Sequence, residues 1–255
     1  MKLKFLLFTF LISLFSFGQK SKIEYYTFTK NTIDTTGIRS YLIFDNNKSL
    51  FVWRSEKQEE KSEIYDDDED RVNFKKSFND TIGTRVFNNY GKKFLVLNEP
   101  LMEKNFTVID QKPKFNWKIK EEFKEISGIR CQKATTNFRG RKYIAWFTES
   151  IPSPTGPWKL GGLPGLIMEA HDEDSNVNFL FKSFTKNYSG KEKININLNK
   201  NNSLKIEEFV AKKDERFERI MKQQLAKLPK GTIISDSKRS KRLGLEIIYE
   251  WEMNK

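Results

Sequence analysis

FRGRKYIAWFTESIPSPTGPWKLGGLPGLIMEA, residues 138–170, decides the fold. Its first part, Tyr143 to Thr148 (YIAWFT), is a run of β-branched and aromatic residues entered through Arg139-Gly140-Arg141. That pattern predicts a strand leaving a tight turn, with Gly140 able to take a positive φ. From Ser150 to Gly162 come Pro152, Pro154, Gly156, Pro157, Gly161 and Gly162. Proline fixes φ and lacks a donor, so this part can be neither helix nor central strand and reads as a stiffened surface loop. Leu163 to His171 is apolar enough for a second strand. Asp172 to Asn176 is a polar turn, and Val177 to Phe184 (VNFLFKSF) returns as the partner of a hairpin.

The pattern outside this stretch is also β. Ile23 to Thr29 is strand-like; Tyr41 to Phe44 and Leu50 to Arg54 flank the hairpin turn Asp45-Asn46-Asn47-Lys48-Ser49. Short strands are expected at Asp80–Phe87, Lys93–Asn98 and Asn105–Asp110, with turns at Asn88–Gly91 and Asn98-Glu99-Pro100. Phe115 to Ile119 alternates apolar and polar like a half-buried strand, Glu121–Ile126 is a short charged segment, and Ile129–Asn137 leads into the opening stretch. Ile194, Ile196 and Leu198 alternate with asparagines and predict one more strand. Leu204 to Leu225 carries apolar residues at helical spacing, with Ser203 as the N-cap and Pro229-Lys230-Gly231 as the stop. Leu245 to Trp251 reads as a last strand. Together these predict a mainly β (α+β) fold, a strongly curved antiparallel sheet packed on a C-terminal helix, in a single domain over residues 19–255.

Residues 162–167 spell GLPGLI, and Cys131-Gln132-Lys133-Ala134, Gly140-Arg141, Ala145 to Thr148, Ile151-Pro152 and Gly156 to Lys159 stand upstream. In order and spacing these blocks resemble the GLPGLI family, over roughly Ile129 to Ala170. Family members often close with an Asn-Pro-hydrophobic-Glu stretch, where this chain has Leu245 to Trp251 instead. The resemblance implies an exported protein of certain Gram-negative bacteria, of unestablished activity, and supplies no catalytic residues. A curved sheet with a helix on its concave face is also similar to the layout of periplasmic lipoprotein carriers, an analogy of fold alone.

Residues 1–18 have the form of a signal peptide: Lys2 and Lys4, an apolar run from Phe5 to Phe15 too short to span a bilayer, and Ser16-Phe17-Gly18 before Gln19. The expected location is the periplasm or cell envelope, with no transmembrane segment in the mature chain. The net charge of +12 favours anionic partners or merely a soluble basic surface. Nucleic acid is excluded by compartment. The acidic block Asp66-Asp67-Asp68-Glu69-Asp70 lacks the alternation and glycine of a calcium loop and reads as solvated chain. Lys238 to Arg242 reads as an exposed basic turn.

Catalytic chemistry finds little footing. His171 is the single histidine and Cys131 the single cysteine. A zinc shell would have to be completed by carboxylates, and no phosphate or dinucleotide loop is present. No catalytic residue, metal or cofactor is expected. Cys131 fits a small buried hydrophobe better than a reactive thiol. The function expected is a non-enzymatic binding or carrier protein for an apolar ligand, a lipid or peptide. The alternative is an accessory protein with an outer-membrane protein partner, and a carboxylate or Cys131–His171 hydrolase ranks lower. The site expected is the rim formed by the Pro/Gly loop: Trp146, Trp158, Arg141, Lys159, Leu163, Pro164 and Leu166, with the signature Gly162, Leu163, Pro164, Gly165, Leu166 and Ile167.

Overall fold

Among the described residues, twelve strands form one sheet: β1 (Ser21–Thr29), β2 (Ile38–Phe44), β3 (Lys48–Trp53), β4 (Thr84–Asn89), β5 (Phe94–Leu101), β6 (Lys104–Gln111), β7 (Lys118–Ile126), β8 (Ile129–Phe138), β9 (Arg141–Thr148), β10 (Leu166–Asp172), β11 (Val177–Thr185) and β12 (Ser203–Lys205). The structure, a computed structural model, describes residues 19–29, 38–53, 83–101, 104–198, 203–227, 242 and 244–253. Residues 1–18, read above as a signal peptide, the acidic block 66–70, the expected helix stop 229–231 and the basic residues 238–241 lie outside the described residues. The order across the sheet is β12-β6-β5-β4-β3-β2-β1-β11-β10-β9-β8-β7. All pairings are antiparallel except β12 on β6, which makes the sheet mixed. The helix α1 (Ile206–Leu225) follows β12 directly.

The sheet is strongly curled. Asp110 on β6 and Arg139, at the turn after β8, stand second and eleventh in the order, about 40 Å apart on a flat sheet at ~4.8 Å per strand. Yet their side chains meet at 2.7 Å. The curl creates an inner face that holds the main core: Tyr25, Leu42, Phe51, Leu97, Val108, Tyr143, Phe147, Leu166 and Phe179 all face it. The first residues of α1, Ile206, Phe209 and Val210, join this core, and Phe209 meets Phe106 of β6 at 5.9 Å between ring centroids. On β2, β3 and β5 the outer face is covered as well. Ile43, Leu50, Val52 and Val96 alternate with the inner residues and pack under Ile194 and Ile196. Burial on both faces explains why these strands read as unbroken apolar runs rather than alternating ones.

The Pro/Gly segment between β9 and β10 is not a surface loop, as the sequence predicts, but folds inward. Ser153, Thr155, Trp158, Lys159, Leu160 and Leu163 are buried. Backbone bonds from Leu166 N to Ile151 O, Ile167 N to Thr155 O and Gly162 N to Pro154 O fix its shape. Thr155 Oγ1 reaches Ser49 of β3 at 3.0 Å, and the Trp117 indole donates to Gly161 O at 2.8 Å. Short apolar and small residues here fill the hollow of the curled sheet, and the prolines stiffen a plug rather than a lid.

Other expectations change at the edges of the pattern. Asn98-Glu99-Pro100 is no turn but the end of β5, paired with β6. Phe115 and Trp117 precede β7 and pack by ring contact with each other (5.4 Å) and with Phe138 (5.0 Å from Phe115), not by a ladder. The charged segment 121–126 belongs to β7, an open edge strand whose charges discourage further pairing. Ile194 and Ile196 are buried without forming a strand, and Leu198 is exposed. Ser203 lies in β12 rather than capping α1. The apolar stripe of α1 is buried only at its start; Phe217, Met221 and Leu225 are exposed. Residues 245–251 are irregular, ending in a 3-10 turn at Glu250–Glu252.

The two glycines of GLPGLI serve different needs. Gly162 has φ +83 with open space where a Cβ would stand. Gly165 is not in the positive-φ region, but its Cβ would fall on the carbonyl of Thr148, inside any contact distance. Gly162→Ala therefore costs about 1–2 kcal/mol of left-handed strain, whereas Gly165→Ala forces backbone apart and costs more than ~4 kcal/mol. Urea unfolding of the two variants checks this, and equal losses would remove the close-approach argument.

Candidate functional site

The two-residue turn between β8 and β9 is Arg139-Gly140, both with positive φ (43 and 84°), the arrangement of a type I′ hairpin. It turns the Arg139 carbonyl outward, where it accepts from Ile247 N and Ile248 N. It sends the Arg139 side chain inward onto Asp110 in a fork of two bonds, 2.7 and 2.8 Å. Lys159, from the buried loop, donates to Asp110 and to Glu246 at 2.8 Å each. Arg139 also pairs with Glu246, and on its outer side with Glu250 at 3.0 Å. The side chains of Lys159 and Asp110 are fully out of water.

Burial alone would discharge these groups; their mutual attraction reverses it. Burial pushes Asp110 up, but Lys159 and Arg139 outweigh it and hold its carboxyl below the usual range. Burial likewise lowers Lys159, and Glu246 and Asp110 together leave it raised. The cluster is saturated, so it offers no free acid, base or nucleophile. It fastens the 244–252 segment across the mouth of the curled sheet. Arg141 helps, bonding Asp172 at 2.6 Å and the carbonyl of Gly244, and the Tyr143 hydroxyl donates to Leu245 O at 3.0 Å.

Between this segment, α1 and the inner face of the sheet lies a cavity of about 580 Å³. Trp53, Trp158, Val210, Phe217, Leu245 and Tyr249 provide its apolar walls, and Thr29, Thr84, Glu99, Lys213, Asp214, Arg242 and Glu246 its polar groups. Arg242 bridges α1 to the C-terminal segment, binding Asp214 at 2.9 Å through Nε and Glu252 at 2.6 Å through Nη1. Glu99 projects from the end of β5 and accepts from Thr84 Oγ1 at 3.4 Å. Burial raises its pKa, opposed by the charges of Lys213 and Lys159.

Of the residues expected to form the site, only Trp158 lines this cavity. It is buried, with φ 55°, between Phe138 and Tyr143. Lys159 lies in the ion cluster and Arg141 on Asp172. Leu163 and Leu166 are core; Pro164 is exposed. The signature Gly162 to Ile167 is a structural corner leading into β10. Trp146 does not join Trp158: it alternates with Tyr143 and Phe147 on β9, so it stands on the outer face, under Lys124 at 4.7 Å. Glu99, Trp53, Val210, Phe217, Leu245 and Tyr249 were not anticipated as a group, because they come from four separate segments.

The Cys131–His171 pairing is excluded by register. Gln132 opposes Phe147, which opposes Ile167, while His171 opposes Ile144. Cys131 is thus five residues along and two strands across from His171, about 16 Å by 10 Å. His171 Nδ1 instead meets Asp172 O at 3.0 Å.

The frame is therefore that of a curled sheet with, among the described residues, one α-helix over a half-open cavity. Its sequence adds one family match: residues 138–169 fit the model of a family described as a protein of unknown function (Porph_ging). No curated protein matches the chain. Among solved structures it is similar to PNGF-II, with TM-score 0.53 and 15% identity over 76% of this chain in the P21 crystal form. The C2 form gives 0.47 and 16% over 73%. The chain spans about a third of the PNGF-II chain, 32% and 31% respectively. At that identity the likeness is one of fold.

Lys159→Met leaves Asp110 and Glu246 short of a buried cation and is expected to cost about 3–5 kcal/mol. Lys142→Ala, which breaks the exposed pair with Glu173, costs under ~0.5 kcal/mol. Because the folded state depresses the Asp110 pKa, its contribution is complete above the unfolded value near 3.8 and fades as pH falls below it. Asp110→Asn flattens that part of the acid-unfolding curve. For Cys131, burial pushes the thiol up to about 11, so iodoacetamide at pH 8 should label it only after denaturation. Rapid labelling of the native protein would contradict its buried position.

Proposed function

We propose that this is an exported, non-enzymatic binding protein of the bacterial cell envelope, in the periplasm or held at the outer membrane, that takes an apolar ligand. In this reading the GLPGLI blocks mark the family, and the terminal residues 1–18 direct export. The single observation that supports ligand binding is the cavity beneath α1. Its volume of about 580 Å³ falls within the range of small-molecule sites, and its walls are aromatic and aliphatic with a few polar groups at fixed points. An acyl chain or the side chains of a short apolar peptide suit it. The buried Pro/Gly loop then forms the floor through Trp158, not a rim.

A second reading, an accessory to an outer-membrane transport or secretion assembly, draws on Ile119 and Phe123, exposed on the open edge strand β7. The two readings use different residues: neither Ile119 nor Phe123 lines the cavity.

Native mass spectrometry with organic extraction, on protein purified from its own envelope, separates them. The expected result is a co-purifying apolar ligand that is lost in Leu245→Trp, which fills the cavity, and retained in Trp146→Ala, on the outer face. An apo mass at every gentle ionisation setting, together with envelope proteins captured in an Ile119- and Phe123-dependent way, would instead favour the accessory protein.

A further inference from the structure

The cavity contains one carboxylate without a committed cation. Glu246 is held by Lys159 and Arg139, and Asp214 by Arg242. Glu99 has no ion-pair partner among the described residues; its one bond is the long one from Thr84. The groups that face it are Thr84 from β4, Lys213 from α1, Lys159 from the buried loop and Glu246 from the C-terminal segment. Lys213 is exposed and lies over the ring of Phe209, at 5.7 Å.

The aromatic walls divide in the same way. Trp158 has Lys159 near its ring, and Tyr249 has both Arg139 and Arg242. Trp53 packs edge-on against Phe179 and Phe217 is nearly half exposed, so both keep ring surface toward the cavity. A carboxylate beside free aromatic faces in a half-open hollow is the composition that recognises organic cations. The ring quadrupole attracts positive charge, and the attraction grows as water is excluded. An anionic head at this end would meet Glu99 instead, since Glu246 and Asp214 are already paired, and Lys213, the remaining cation of the lining, is exposed.

Resting on the ligand-binding reading above, we propose that Glu99, Trp53 and Phe217 form a subsite for the ammonium head of an amphiphilic cation, whose apolar body fills the remainder of the cavity. This opposes what the overall charge of +12 favours, since the bulk surface attracts anions while the cavity selects against them. The raised pKa of Glu99 gives the subsite a direction with pH. Protonated Glu99 is neutral and holds no cation, so affinity for a permanent cation rises as pH climbs through that raised value.

The test compares three ligands with one octyl chain, below micelle formation: octyltrimethylammonium, octyl glucoside and octanoate. Calorimetry or tryptophan fluorescence reads the affinities. Octyltrimethylammonium is expected to bind about tenfold or more tightly than octanoate at pH 7, and its own affinity is expected to rise from pH 4 to 7. Glu99→Gln should collapse the difference between the two at pH 7 and remove the pH dependence of octyltrimethylammonium binding. Glu99→Lys should invert the preference toward octanoate, a gain that a merely unfolded variant would not show. Binding of all three ligands with equal affinity, or an unchanged preference in Glu99→Gln, overturns the subsite and leaves the cavity reading standing. Binding of none of them overturns both.

Discussion

The bidentate pair between Arg139 and Asp110 is the constraint on which the remaining architecture depends. It joins two places that the order of strands puts near opposite ends of the sheet. A sheet of this width twists and coils, but twist alone does not bring its ends together. Closing the gap with charges carries a desolvation penalty of several kcal/mol per ion, which only a fully bonded cluster offsets. That is why Lys159 and Glu246 are present: two cations and two carboxylates balance inside, and Glu250 completes the outer side. An apolar pair could seal the same gap with equal stability. It could not specify which strands meet, whereas a fork-shaped guanidinium fits one carboxylate in one orientation.

The cavity follows from that closure. Curling leaves an inner space too wide for the side chains of the sheet to fill. The loop between β9 and β10 occupies one part, with Trp158 and Leu160 packed inward. The first turns of α1 occupy another through Ile206, Phe209 and Val210. The 244–252 segment, fastened by Arg139, Arg141 and Arg242, spans the opening and sends Tyr249 into the core. What remains is a hollow with rigid, charged fixings around its mouth and aromatic walls within. Such a site is positioned by the sheet but bounded by elements that make few ladder bonds.

Much of the fold was legible in the sequence where a local rule sufficed. Strands with alternating or continuous apolar runs, such as β1, β3, β9 and β11, reveal themselves by period and composition. Pro100 misled because proline signals a turn. Here it sits beyond the last residue that β4 pairs, Asn98 opposite Arg85, so its missing N–H deprives no partner on that side. Strand β7 carries almost no apolar pattern because both its faces meet water, and only its pairing with β8 makes it a strand. Residues 245–251 show the reverse: a strand-like pattern produced by packing of Tyr249 onto Trp251 and onto Arg139. The site was less legible for the same reason. The family blocks drew attention to 138–170, where the chemistry is structural, while Glu99 lay inside an apparent turn and Phe217 on an apparent packing stripe. Nothing local in either residue announces a neighbour more than a hundred positions away.

The position of Glu246 late in the chain also sets an order of assembly. Its bond to Arg139 closes a loop of 107 residues, and that of Tyr143 to Leu245 one of 102. Until that segment arrives, Arg139 and Lys159 face Asp110 alone, one carboxylate for two cations, and the mouth of the sheet stays open. Contacts of such long range make closure slow and place it at the end of folding. A chain built this way keeps its interior accessible until residues 244–252 have docked, so whatever fills the cavity can be enclosed during folding rather than threaded in afterwards.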